Sequence, residues 1–181
     1  EFKDERVFKD TLREANKWGN ITNASYIYQM NELIEQGKAL EFINLCETRH
    51  NNQFAKLGEA ISREINRIRL IAVAGPSSSG KTTTTKTLSM YLKSFGLKPK
   101  LLSMDDFFVE RVDTPRKPNG EYDFECLEAV DLNLFNKTMD KLLKGEKVIL
   151  PIFNFITGEK EFTEEMQLEK NDILLIEGIH C

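Results

Sequence analysis

The chain has 181 residues, 40% of them hydrophobic and 30% charged, which suits one domain with a substantial core plus an appendage. Its net charge of −4 is spread over mixed-sign stretches with no lysine- or arginine-rich stripe, which argues against nucleic acid as a partner. No apolar run nears the ~20 residues of a membrane span and the first residues, Glu1-Phe2-Lys3-Asp4-Glu5-Arg6, are too charged for a signal peptide, so a cytoplasmic protein without a membrane partner is expected.

Residues 1–69 form the expected appendage and hold no convincing strand. Apolar residues recur three and four apart, as in Leu57, Ile61, Ile65 and Ile68, and breaks near Gly19-Asn20, Gly37-Lys38 and Asn51-Asn52 divide the segment into three or four helices. Cys46, Cys126 and Cys181 are odd in number and far apart, and His50 and His180 have no paired ligand spacing; both facts fit reduced, incidental side chains and no metal cluster built from them.

From Leu70 to Cys181 the pattern changes to strands alternating with helices. Strands are expected near 70–74, 99–103, 147–150 and 172–176, and helices near 80–95 and 128–144. This order predicts a three-layer α/β/α domain of the P-loop NTPase type, with a mainly parallel sheet covered on both faces. Thr114-Pro115-Arg116-Lys117-Pro118-Asn119-Gly120 reads as a loop, and Phe153-Asn154-Phe155 and Lys160-Glu161-Phe162 flank a hairpin turn at 156–159.

Residues 75–82, Gly-Pro-Ser-Ser-Ser-Gly-Lys-Thr, match the phosphate-binding pattern G-x-x-x-x-G-K-[ST] directly after the apolar run 70–74. Gly75 and Gly80 accept backbone angles that let the N–H groups of this loop, Ser77, Ser78 and Ser79 included, converge on phosphate oxygens. Lys81 meets the outer phosphates, Thr82 offers a hydroxyl to Mg2+, and the helix starting at this point, with Thr83 in its first turn, aims its positive end at the same anion.

In a doubly wound sheet ligands sit beyond the carboxyl ends of the strands, where this chain places two acids. Asp105 follows the strand near 99–103 and Glu177 follows Ile173-Leu174-Leu175-Ile176. Asp105 is the candidate base and Asp106 is expected to point away, with a helix N-cap as the bland alternative for both. Phe107, Phe108, Phe153 and Phe155 are either a stacking wall for a base or core residues. Arg111, Arg116 and Lys117 are either phosphate contacts or solvated loop charges.

Five blocks resemble the uridine kinases of the P-loop group that includes phosphoribulokinase: 75–82, Ser-Met-Asp-Asp-Phe-Phe at 103–108, Tyr-Asp-Phe-Glu at 122–125, Leu-Pro-Ile-Phe-Asn-Phe at 150–155 and Ile-Glu-Gly-Ile-His at 176–180. Their order is similar to a bacterial subgroup in which the kinase domain follows a section like the N-terminal part of threonyl-tRNA synthetase, whose tail residues 1–69 would be. The resemblance implies ATP and Mg2+ as cofactors, Thr82, Asp105 and Glu177 around the metal, Lys81 on the phosphates, and Asp105 as base toward a nucleoside 5′-hydroxyl. Phe108, Asp123, Glu125 and Phe153 would line the acceptor. It also implies a lid with arginines beyond Cys181, and a homo-oligomer is one way to cover a sheet edge near Ile173–Ile176.

Two departures bear on the acceptor. Where family members acting on uridine and cytidine usually read Tyr-Asp-Phe and then Thr-His-Ser-Arg, this chain has Phe153-Asn154-Phe155-Ile156-Thr157-Gly158, with Gly158 in place of the histidine expected at the pyrimidine edge. Glu125 before Cys126 replaces an aspartate before His-Pro. Three readings stand: a nucleoside kinase, a kinase for another small alcohol or sugar phosphate, and a nucleotide-dependent binding module without catalysis.

Overall fold

The computed structural model describes residues 6–181, which divide into two compact units between Gln53 and Phe54. The first holds α1 (Arg6–Thr22), α2 (Ile27–Glu35) and the start of α3 (Ala39–Arg63). The Gln29 side chain accepts from the Ser25 and Tyr26 amides at 2.9 and 3.0 Å, satisfying donors at the start of α2. Arg49 donates to Glu14 at 2.8 Å and lies 4.5 Å from the centre of the Trp18 ring.

Two expected breaks move or vanish. α1 runs past Gly19-Asn20 to Thr22, whose hydroxyl folds back to donate to the Trp18 carbonyl at 2.9 Å. α3 continues through Asn51-Asn52 to Arg63. An asparagine costs a helix only about 0.6 kcal/mol relative to alanine, and α3 offsets this further on by burying a face of Phe54, Gly58 and Ile61. Leu57, counted in the expected stripe, is exposed.

The second unit begins with β1 (Leu70–Ala74), α4 (Lys81–Ser94) and β2 (Lys98–Ser103). A 3-10 turn (Met104–Phe107), α5 (Leu132–Leu143), β3 (Val148–Asn154), β4 (Glu159–Met166) and β5 (Asp172–Gly178) follow. The main sheet is parallel, in the order β1-β5-β2. β5 is therefore the centre of the sheet and not an edge. Its apolar run suits burial on both faces, and Ile173, Leu174 and Leu175 are all at 0% exposure, each contributing about 1.5–3 kcal/mol of burial. Ile173 and Leu175 pack with Leu88 and Leu92 of α4 and with Phe54 and Ile61 of α3. Leu174 and Ile176 pack on the other side with Leu102, Phe107 and the α5 residues Met139 and Leu142. Helices thus cover both faces, giving the three-layer α/β/α architecture.

The strand expected near 147–150 does not join this sheet. It lengthens into β3 and pairs antiparallel with β4. Pro151 cannot donate to a ladder, and the register shifts between Leu150 and Pro151. A hairpin tolerates this, because one side (Val148, Leu150, Phe153) joins the core while the glutamate-rich β4 faces water. The helix expected from 128 begins at Leu132, where Asp131 caps it by accepting from the Leu134 amide at 3.0 Å.

Candidate functional site

The loop between β1 and α4 takes left-handed backbone at Ser78 (φ 58°) and Gly80 (φ 87°), an alternation that lets successive amides converge on an anion. Gly80 precedes α4 and no side chain caps the helix, so the first-turn N–H groups are left for a ligand. Lys81 reaches back over the loop and donates to the Pro76 carbonyl at 2.9 Å.

Register brings the acids to the same edge. Glu177, near the end of β5, lies opposite Val73 on β1 and Ser103 on β2. Its Oε1 accepts from the Thr82 hydroxyl at 2.7 Å. Asp105 sits in the 3-10 turn that follows Ser103, half-buried. Burial pushes its pKa up, the neighbouring Glu177 carboxylate adds to this, and Lys81 and His180 oppose it. Lys81, Thr82, Asp105 and Glu177, drawn from three chain segments, thus form one constellation, with Ser77, Ser78, Ser79 and Thr83 exposed in the adjoining loop and helix turn. Neither Asp105 nor Asp106 is an N-cap, a position held by Ser103.

Asp106 does not simply point away. It lines a cleft of about 250 Å³ with Thr82, Lys86, Leu101, Ser103 and Glu177, and its Oδ1 accepts from the Phe153 amide at 3.3 Å. Burial raises its pKa, opposed by that amide and reinforced by Asp105, Glu164 and Glu177. Lys86 lines the same cleft, and His180, the last residue of the Ile-Glu-Gly-Ile-His block, acts electrostatically on Asp105. Lys86 stands one helical turn after Thr82, and that spacing was the available signal for it in the sequence.

The acceptor candidates divide by burial. Phe108 and Phe153 are each 4% exposed and stand 5.8 Å apart in the core, whereas Phe155, 5.0 Å from Phe153, is 54% exposed. Asp123 accepts from the Glu125 amide at 3.1 Å, and the Glu125 side chain is exposed. Arg116 is held at home, donating to Gly120 O at 2.7 Å and to the Tyr122 hydroxyl at 2.9 Å.

The Thr82 hydroxyl beside the Glu177 carboxylate is an all-oxygen donor set of the kind Mg2+ takes, and no group of three or more His, Cys, Asp or Glu side chains among the described residues would hold a metal unaided. Mg2+ is commonly held by one or two protein oxygens, with phosphate and water completing its shell.

A glycine-rich loop between a parallel strand and a helix, with acids at the neighbouring strand ends, defines a P-loop phosphate-binding α/β protein. The chain belongs to the Phosphoribulokinase / Uridine kinase family, whose description matches residues 70–181. It is 33% identical over 116 residues to a uridine kinase of Schizosaccharomyces pombe, covering 62% of this chain and 25% of that one. A uridine kinase of Borrelia duttonii is 29% identical over 119 residues, covering 62% and 52%. The chain thus spans a quarter to about half the length of these relatives. Its fold is similar to that of a possible uridine kinase from Bacillus stearothermophilus, with a TM-score of 0.54 at 24% identity over 73% of this chain and 71% of that one. No helix among the described residues is long and apolar enough to cross a membrane.

Proposed function

We propose that the 70–181 domain transfers the γ-phosphoryl group of ATP to the 5′-hydroxyl of a nucleoside, with Mg2+. The observation that carries this reading is the meeting of Lys81, Thr82, Asp105 and Glu177 at one edge of the sheet. The loop amides and Lys81 hold the phosphates, with Thr82, Glu177 and Asp105 as the metal's protein partners. Bound there, Mg2+ neutralises charge on the transferring phosphoryl group. Asp105, in the turn that follows β2, accepts the proton of the attacking hydroxyl. Asp123 and Glu125 contact the acceptor, over a wall of Phe155 backed by Phe108 and Phe153. The reading includes a cytoplasmic enzyme with a small-molecule acceptor.

A second reading, in which the acceptor is another small alcohol or a sugar phosphate, is favoured by Gly158 in place of a base-reading histidine. A site without that hydrogen-bond partner discriminates less between acceptors. Turnover of ATP measured against a panel of nucleosides, sugars and sugar phosphates separates the two. Phosphorylation of a nucleoside above all other alcohols supports the first, and preference for a non-nucleoside alcohol supports the second.

A further inference from the structure

Arg111 lies in a short 3-10 turn (Arg111–Asp113), more than forty residues before the β3–β4 turn, yet it fastens that turn at three points. Its amide donates to the Gly158 carbonyl at 2.9 Å and its guanidinium donates to the carbonyls of Ile156, at 3.1 Å, and Phe155. Hydrogen bonds from a charged donor are stronger than neutral ones. The charge of Arg111 is thereby committed to main-chain carbonyls.

The fit depends on Gly158. The residue has φ +80° and its amide donates to the Asn154 carbonyl at 2.7 Å. A Cβ there would stand 2.6 Å from the Arg111 Cβ and 2.8 Å from its Nε. The first of these contacts cannot be relieved by a change of rotamer, because Cβ is fixed by the backbone. A side chain at position 158 is therefore excluded as long as the main chain at residue 111 stays this close to the turn.

The hairpin is also tied to the acid-bearing turn, through Asp106 and the Phe153 amide. Between that tie and the Arg111 clamp lies Phe155, the exposed ring of the aromatic cluster, and beyond it Ile156 at 89% exposure. We propose that Arg111 is the positioning residue of the β3–β4 turn, and that the turn it holds, kept free of a side chain at position 158 by left-handed backbone and the approach of the residue 111 Cβ, meets the acceptor through Phe155 and main-chain atoms. The acceptor half of this inference rests on the kinase reading above; the clamp itself does not.

The test compares the full chain with its Arg111→Ala, Arg111→Lys and Gly158→Ala variants by amide hydrogen exchange and by kinetics with uridine and Mg-ATP. In Arg111→Ala and Gly158→Ala the turn amides of residues 156–158 should exchange about tenfold faster or more, while those of α4 stay as they were. The KM for uridine should rise about tenfold with the KM for ATP unchanged, and Arg111→Lys should recover part of both effects. Unchanged exchange at the turn overturns the clamp. Faster exchange with an unmoved uridine KM overturns the acceptor role. A parent chain that turns over no nucleoside defeats the nucleoside reading and with it the acceptor role as stated, and the clamp is then decided by exchange alone.

Discussion

The Thr82 hydroxyl and the Glu177 carboxylate, separated by 95 positions in the chain, meet at 2.7 Å. One belongs to the first turn of the helix after the phosphate loop and the other to the central strand, so the fold itself assembles the pair. Thr82 is exposed, and losing its partner carries little desolvation cost. Glu177→Gln is therefore expected to leave thermal stability nearly unchanged while weakening Mg-nucleotide binding by about tenfold or more, with a higher Mg2+ requirement. A titration of nucleotide affinity against Mg2+ checks this, and an unchanged requirement removes Glu177 from the metal site.

Asp105 carries a sign that separates function from stability. Burial and Glu177 raise its folded pKa above the ordinary value of 3.8, so the folded state holds the proton to higher pH than the unfolded chain does. Stability is lost as pH rises through that window and stays lower at neutral pH. In metal-free buffer Asp105→Asn should therefore be the more stable protein at pH 7, by less than about 1 kcal/mol because the group is half in water. The difference should fade below the ordinary aspartate range. The same variant should lose about a hundredfold or more in turnover. Melting curves across pH, with a rate assay, check both directions.

Asp131 shows the opposite sign. Burial pushes its pKa up, but the Leu134 amide and the Lys160 ammonium outweigh burial and hold it below 3.8. Its contribution is present above the ordinary value and is lost as pH falls through the lowered one. Lys160, with a side chain only 11% exposed, donates to Asp131 at 3.1 Å. Asp131→Ala removes a cap worth about 1 kcal/mol and strands that ammonium, so it should cost more than Lys160→Met, which leaves the cap intact. Equal losses in denaturant unfolding would contradict this.

Much of the fold could be read from the sequence because the relevant signals are local. The run 70–74, the loop 75–82 and the hairpin turn after Asn154 each declare themselves within a few residues. That the strand near 147–150 continues into that hairpin and leaves the main sheet was not legible, since Val148–Leu150 looks like any buried strand and only Pro151 and the acidic β4 distinguish hairpin from sheet. The placement of Asp106 was also hidden, because a 3-10 turn aims neighbouring aspartates by tertiary contact with Phe153 and not by a readable period. The run through Asn51-Asn52 shows that weak propensity yields when a helix buries a face beyond it.

Gly178, next to Glu177, has no room for a methyl group. A Cβ there would lie 2.6 Å from the Cβ of Met104, in the turn that carries Asp105. Gly178→Ala should cost about 1–3 kcal/mol of stability and disturb Asp105 and Glu177 together. A melting temperature equal to the parent's would contradict the packing described.

In the proposed function Lys81 and its loop hold a nucleotide. Calorimetric titration of the chain with a non-hydrolysable ATP analogue and Mg2+, beside Lys81→Ala and the distant Lys144→Ala, tests it most directly. Saturable binding is expected for the parent and for Lys144→Ala, with affinity weakened about tenfold or more in Lys81→Ala. No binding by the parent, or equal binding by Lys81→Ala, would contradict it.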